Sequence, residues 1–146
     1  STAFEMLLDA IYLSVHNITT ALPIPISTLE WSGVAGTYPS DVTESVPPLQ
    51  SFKVSWREGA DRIIIVFSDE VPQSYLVPKL TISDVADAAA GTPQLKLYTF
   101  SRDAHKAGWE NIAIAGNGKW YKLTNNPTEM YNSLMEIIDE ICKGGN

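Results

Sequence analysis

Hydrophobic and polar positions divide the chain into seven patterned stretches, the first set apart from the rest by a long unpatterned one. Residues from Phe4 to Val15 are apolar on nearly every side (Met6, Leu7, Leu8, Ala10, Ile11, Tyr12, Leu13). This predicts a helix buried between layers. Thr2-Ala3-Phe4-Glu5 supplies a capping box at its start. From Asn17 to about Gly59 the pattern dissolves among Pro23, Pro25, Pro39, Pro47 and Pro48, with Gly33 and Gly36. So long an irregular stretch inside a domain predicts an insert, with aromatic residues (Trp31, Tyr38, Phe52, Trp56) for packing. Residues 51–56 within it read as a short strand or a turn of helix.

Arg62 to Phe67 is a β-branched run that breaks off into Ser68, Asp69 and Glu70. It predicts a strand buried on both faces at the centre of a parallel sheet. Thr81 to Ala90 carries Ile82, Val85, Ala86 and Ala89 on one helical face, with Thr81 and Asp84 capping its start, Gly91 its end, and Pro93 blocking extension. Leu95 to Phe100 is a second strand, completing a βαβ unit of parallel strands. Trp109 to Ala115 fits either a hairpin arm or a short helix. Asn117-Gly118 is a turn signal, and Lys119 to Leu123 a third strand. Asn126-Pro127-Thr128-Glu129 opens a last helix with Met130, Leu134, Ile137 or Ile138, and Ile141 at helical spacing.

The fold class is therefore α/β, a mostly parallel Rossmann-like sheet flanked by helices, in one domain over residues 1–146 with an insert at about 17–59. In open α/β sheets ligands bind just outside the carboxyl ends of the strands, which places Ser68, Asp69 and Glu70 at the mouth of a site. Their oxygens suit a hard cation.

Hydrophobic residues make up 45% and charged residues 18% of 146, an ordinary globular balance. The net charge of −7 argues against a nucleic-acid or anionic-membrane surface, which needs clustered Lys and Arg. No apolar run is long enough to span a bilayer, and no signal peptide is recognisable. The single cysteine, Cys142, excludes an internal disulfide, leaves the compartment open and reads as core on an apolar helical face. The chain begins at Ser1, already at a helix start, which predicts a processed product or a piece of something longer.

The run from Trp56 to Glu70 resembles the central strand of von Willebrand factor type A domains, which ends in a Thr-Asp or Ser-Asp pair. Ser1-Thr2-Ala3-Phe4 with its helix is similar to that family's Thr-containing loop, and Ala115-Gly116-Asn117-Gly118-Lys119-Trp120-Tyr121 to its late Gly-rich turn. The resemblance covers residues 1–15 and about 51–142. It implies a metal-ion-dependent adhesion site at the top of the sheet, holding a divalent ion, typically magnesium, whose shell a partner's carboxylate completes. By position Thr2 matches the Thr ligand and Asp69 the third-loop Asp, with Ser68 and Glu70 peripheral.

The family's Asp-x-Ser-x-Ser loop is absent from the sequence, as are the first strand and helix that carry it. The expectation is thus a C-terminal part whose sheet another segment or chain completes. Two oxygens, from Thr2 and Asp69, are too few for tight binding, so this chain alone is expected to hold magnesium weakly or not at all. At Thr2 capping competes with ligation, at Asp69 a turn-capping role does, and Ser68 is expected to satisfy backbone groups.

The leading functional expectation is a protein-binding module, which leans towards an extracellular or cell-surface setting. A second is a structural assembly component without metal, whose exposed sheet edge pairs with another chain. A remote third is a small hydrolase using Ser101, His105 and Asp103, although no nucleophile elbow accompanies them. His16 and His105 lack zinc spacing. No P-loop or GxGxxG follows a strand. Asn17-Ile18-Thr19 fits the N-glycosylation pattern. Arg102-Asp103 reads as a surface ion pair.

Overall fold

Strand, helix and strand alternate as the patterning predicts, and among the described residues three parallel strands form the sheet. The computed structural model describes residues 7–16, 56–74 and 79–143. In chain order the elements are α1 (Leu7–His16), β1 (Arg62–Ser68), α2 (Ile82–Ala90), β2 (Leu95–Ser101), α3 (Lys106–Ala115), β3 (Trp120–Lys122) and α4 (Pro127–Lys143). A 3-10 turn, Asp103–His105, leads into α3. The strand order is β1-β2-β3. Arg62 pairs with Leu95 and Ser68 with Ser101, and Thr99 to Ser101 pair with Trp120 to Lys122.

Side-chain alternation sorts the sheet into two faces. One face presents Ile64, Val66, Leu95 and Leu97 to α1, α2 and α3. There Leu8, Ile11, Tyr12, Val15, Val85, Ala89, Trp109, Ile112 and Ala113 complete the larger core. The other face presents Tyr98, Phe100 and Tyr121 to Ile137 of α4, with Met130, Leu134 and Ile141 packed around them. Phe67, Phe100 and Tyr121 stack across the three strands, with ring centroids 4.6 and 5.1 Å apart.

The element ends follow from their sequences. Thr81 and Asp84 form a reciprocal capping box at α2. Gly91 closes α2 in the right-handed region (φ −71°), its N–H bonded to the Asp87 carbonyl, so no left-handed cap is used. The Asn126 side chain accepts from the Thr128 N–H (3.0 Å) and donates to Glu129 (3.1 Å), with Pro127 as first residue of α4. Residues 109–115 resolve as helix because Trp109, Ile112 and Ala113 share one buried face at helical spacing.

Two expectations are corrected. Among the described residues β1 is an edge strand, and β2 is the central one. Residues Ile65 and Phe67 on the α4 side of β1 are exposed, so the isoleucine run is not buried on both faces. A continuous apolar run does not distinguish a central strand from an edge strand whose second face lacks a covering layer. Cys142 is exposed rather than core, since the buried row of α4 runs through Met130, Leu134, Ile137 and Ile141, one position behind it. The capping box at Thr2 and most of the insert, 17–55, lie outside the described residues. No described helix is long and apolar enough to cross a membrane.

Candidate functional site at the strand ends

The carboxyl ends of β1, β2 and β3 open on one rim. A cleft of about 460 Å³ lies there, lined by Phe67, Ser68 and Asp69 after β1, Arg102 after β2, and Leu123 and Asn125 after β3. This is the place that a parallel sheet offers a ligand. At the start of α1 the Leu8 N–H donates to the Gln73 carbonyl at 3.2 Å, four residues beyond Asp69 in the segment that leaves β1. Thr2 itself is outside the described residues.

Each acidic-tip residue has a defined local role. The Ser68 hydroxyl is buried and bonds both the N–H and the carbonyl of Glu70, each at 3.1 Å. It fixes the turn out of β1, in line with its expected backbone role. Asp69 receives the Arg102 guanidinium at 2.9 Å, with both side chains largely exposed. An exposed pair of this kind contributes little stability, roughly 0–1 kcal/mol, so its importance is the charge it places at the cleft. Arg102 thus pairs across the sheet with Asp69, and Asp103 with Lys122, rather than Arg102 with its sequence neighbour.

Behind the rim two tryptophans hold the loops. The Trp109 indole donates to the Glu70 carbonyl at 2.9 Å, while Thr99 donates to the Trp109 carbonyl at 3.1 Å. The Trp120 indole donates to the Ser101 hydroxyl at 2.8 Å. Ser101 itself is buried and donates to the Arg102 carbonyl. With Asp103 held by Lys122, the structure does not assemble Ser101, Asp103 and His105 into a hydrogen-bonded triad. Ser74, buried, accepts from the Leu80 N–H and closes the loop leading to α2.

Nothing local to Arg102 marks it as the partner of Asp69, or Leu123 and Asn125 as cleft walls. Only the parallel register, which sets the ends of three strands side by side, connects them. Among the described residues no group of three or more His, Cys, Asp or Glu side chains converges in a way that would hold a metal ion. Of the side-chain oxygens lining the cleft, Ser68 is engaged with Glu70 and Asp69 with Arg102, and Asn125 carries the remaining one. Comparison of the chain with known protein families, with curated proteins and with solved structures found no match.

Proposed function

We propose that the chain is a protein-recognition module of von Willebrand A type that reads an acidic group of its partner at the strand-end rim. The observation that carries this reading is the position of the cleft. It sits outside the carboxyl ends of all three strands and carries an exchangeable charge pair, Asp69 with Arg102, at its mouth.

Two cations are available to such a partner. Arg102 is mostly exposed and offers a planar donor fork that matches a carboxylate. A hydrated magnesium ion on Asp69 and Thr2 is the second, with further oxygens from another segment or chain. The two compete, because the Asp69 oxygen that would hold the ion now accepts from Arg102. Replacing Arg102 by Ala frees Asp69. Under the cation mechanism the variant responds to millimolar magnesium by a rise in melting temperature larger than that of the parent. If neither protein responds, and a form carrying the upstream oxygens does not respond either, the cation mechanism is wrong and Arg102 alone remains as the acceptor of an acidic group.

The edge position of β1 favours a second reading, a structural assembly component. Among the described residues β1 has no neighbour on one side, which is where a strand of another chain would add. Sedimentation velocity distinguishes the readings: strand addition gives a stable complex independent of magnesium and of Arg102, and a monomer indifferent to any partner strand removes it.

A further inference from the structure

The α4 side of the sheet is only partly covered. A helix is about 10 Å across and strands are spaced about 4.8 Å apart, so one helix shields roughly two strands. The buried row of α4 packs on Tyr98 and Phe100 of β2 and Tyr121 of β3. On β1, Ile65 is left 39% exposed and Phe67 45%.

A second apolar row runs along α4 itself. Tyr131, Met135 and Ile138 are 62%, 37% and 49% exposed. They follow the buried row by one position, so they lie ~100° round the helix from it. Glu136 fixes which way they look. It binds Lys119, which immediately precedes β3, so the Glu136 flank of α4 faces the β3 edge. Tyr131, Met135 and Ile138 lie on the opposite flank of the buried row and face the β1 side. Ile65 and Phe67 thus form the floor, and these three residues the wall, of one open apolar trough.

Charge selects the occupant. Three lysines are held at the β3 side: Lys106 over the Trp120 ring, Lys119 with Glu136, and Lys122 with Asp103. Arg62 turns to the other face of the sheet, over Trp56, whose indole bonds the Ser14 carbonyl of α1. Acids stand near the trough's ends and rim, Asp61 before β1, Glu70 after it and Asp139 on the solvent margin of α4, while the charge of Asp69 is offset by Arg102. Lys96 is the basic residue that strand alternation places on this face of β2. A second copy of a chain with net charge −7 is repelled here, whereas a basic partner is attracted.

We infer that the trough between β1 and α4 docks an amphipathic helix of a partner protein, apolar on one face and basic along its flanks. This goes beyond the rim and edge readings, since it needs neither magnesium, nor Arg102, nor strand addition. The helix lies beside α4 and covers Ile65 and Phe67, in the way that grooves take helical segments.

The test uses two fluorescent helical peptides of about 18 residues, one of leucine and lysine and one of leucine and glutamate with the same apolar face. The leucine–lysine peptide is expected to bind the monomeric chain and to shift the NMR signals of Ile65, Phe67 and Met135. The leucine–glutamate peptide is expected to bind at least about tenfold more weakly. Ile138→Lys, an exposed substitution that leaves the circular dichroism unchanged, weakens the first peptide about tenfold or more. Ile114→Lys, equally exposed but on α3 across the sheet, does not. The inference is overturned by equal binding of both peptides, by equal loss in both variants, or by no binding at about 1 mM. A homodimer abolished by Ile138→Lys also overturns it, and so does a trough that NMR contacts show filled by the chain's own residues.

Discussion

The indole N–H of Trp109 lies 2.9 Å from the carbonyl oxygen of Glu70, joining α3 to the turn that leaves β1. Trp109 is buried and the bond is part-buried, so the indole N–H is sheltered from water. It makes the rim a consequence of core packing: the side chain that fills the space beneath α3 also holds the acidic tip in place. Trp109→Phe keeps most of the volume and removes the donor, leaving a part-buried carbonyl short of a partner. The expected loss is about 1–2 kcal/mol, measured by urea denaturation. Trp109→Ala is expected to cost about 3–5 kcal/mol. A Phe variant as stable as the parent would show that the rim does not depend on this bond.

The capping box of α2 supplies a pH-dependent prediction. The Thr81 backbone N–H and hydroxyl, both 2.7 Å from the Asp84 carboxylate, hold that carboxyl below its ordinary range. A depressed folded-state pKa contributes stability above the unfolded value and loses it as pH falls through the folded one. The contribution is therefore intact at neutral pH and disappears below about pH 4. Thr81→Ala is expected to cost about 1 kcal/mol at pH 7. Asp84→Asn is expected to flatten the acid limb of a pH–stability curve, and an unchanged acid limb would count against the carboxylate's role.

Tyr98 and Tyr121 predict the alkaline limb. Both rings are buried under α4, with the Glu140 carboxylate beside the Tyr98 hydroxyl and the Glu136 carboxylate beside that of Tyr121. Burial, reinforced by the Glu140 carboxylate, pushes the Tyr98 phenol up to about 12. Burial and Glu136 push Tyr121 up as well. A raised folded-state pKa gives stability that is present below about pH 10 and lost between there and about pH 12. Tyr98→Phe is expected to leave stability at pH 7 within about 0.5 kcal/mol and to reduce the loss above pH 10. A large loss at pH 7 would mean that the hydroxyl is bonded.

The turn before β3 is set by close approach. A Cβ on Gly118 would collide with the backbone carbonyl of Leu97, and one on Gly116 would stand 2.6 Å from the Leu97 Cβ. Asn117 between them sits at φ 53°, a conformation that Asn tolerates. Gly118→Ala is expected to cost about 3 kcal/mol by displacing β3 from β2. Asn117→Gly is expected to be neutral, and Asn117→Val destabilising by about 1–2 kcal/mol. These are read from thermal or urea unfolding, and a stable Gly118→Ala variant would mean that β3 sits further from β2.

Elements with a strong local signature were legible in the sequence. The Thr81–Asp84 box, the Asn126-Pro127 start of α4 and the Asn117-Gly118 turn each depend on residues within four positions of one another. The parallel pairing of β1 with β2 followed from the length of the crossover. What escaped depends on distant segments. Whether Arg62–Ser68 is central or at the edge is decided by what pairs beyond it, which no residue inside the strand encodes. Ile137 was separable from Ile138 only once α4 was laid on Tyr98 and Phe100. At the rim, the position of Asp69 was legible because it follows directly on a strand. Its partner Arg102 was not, because the parallel register and not sequence proximity brings them together.

The direct test of rim recognition is an NMR titration of the chain with a short capped peptide bearing one aspartate, with and without magnesium chloride. The account predicts shifts confined to Phe67 to Glu70, Arg102, Leu123 and Asn125, and their loss in Arg102→Ala unless magnesium restores them. Shifts scattered over the surface, or absent from these residues under both conditions, would contradict it.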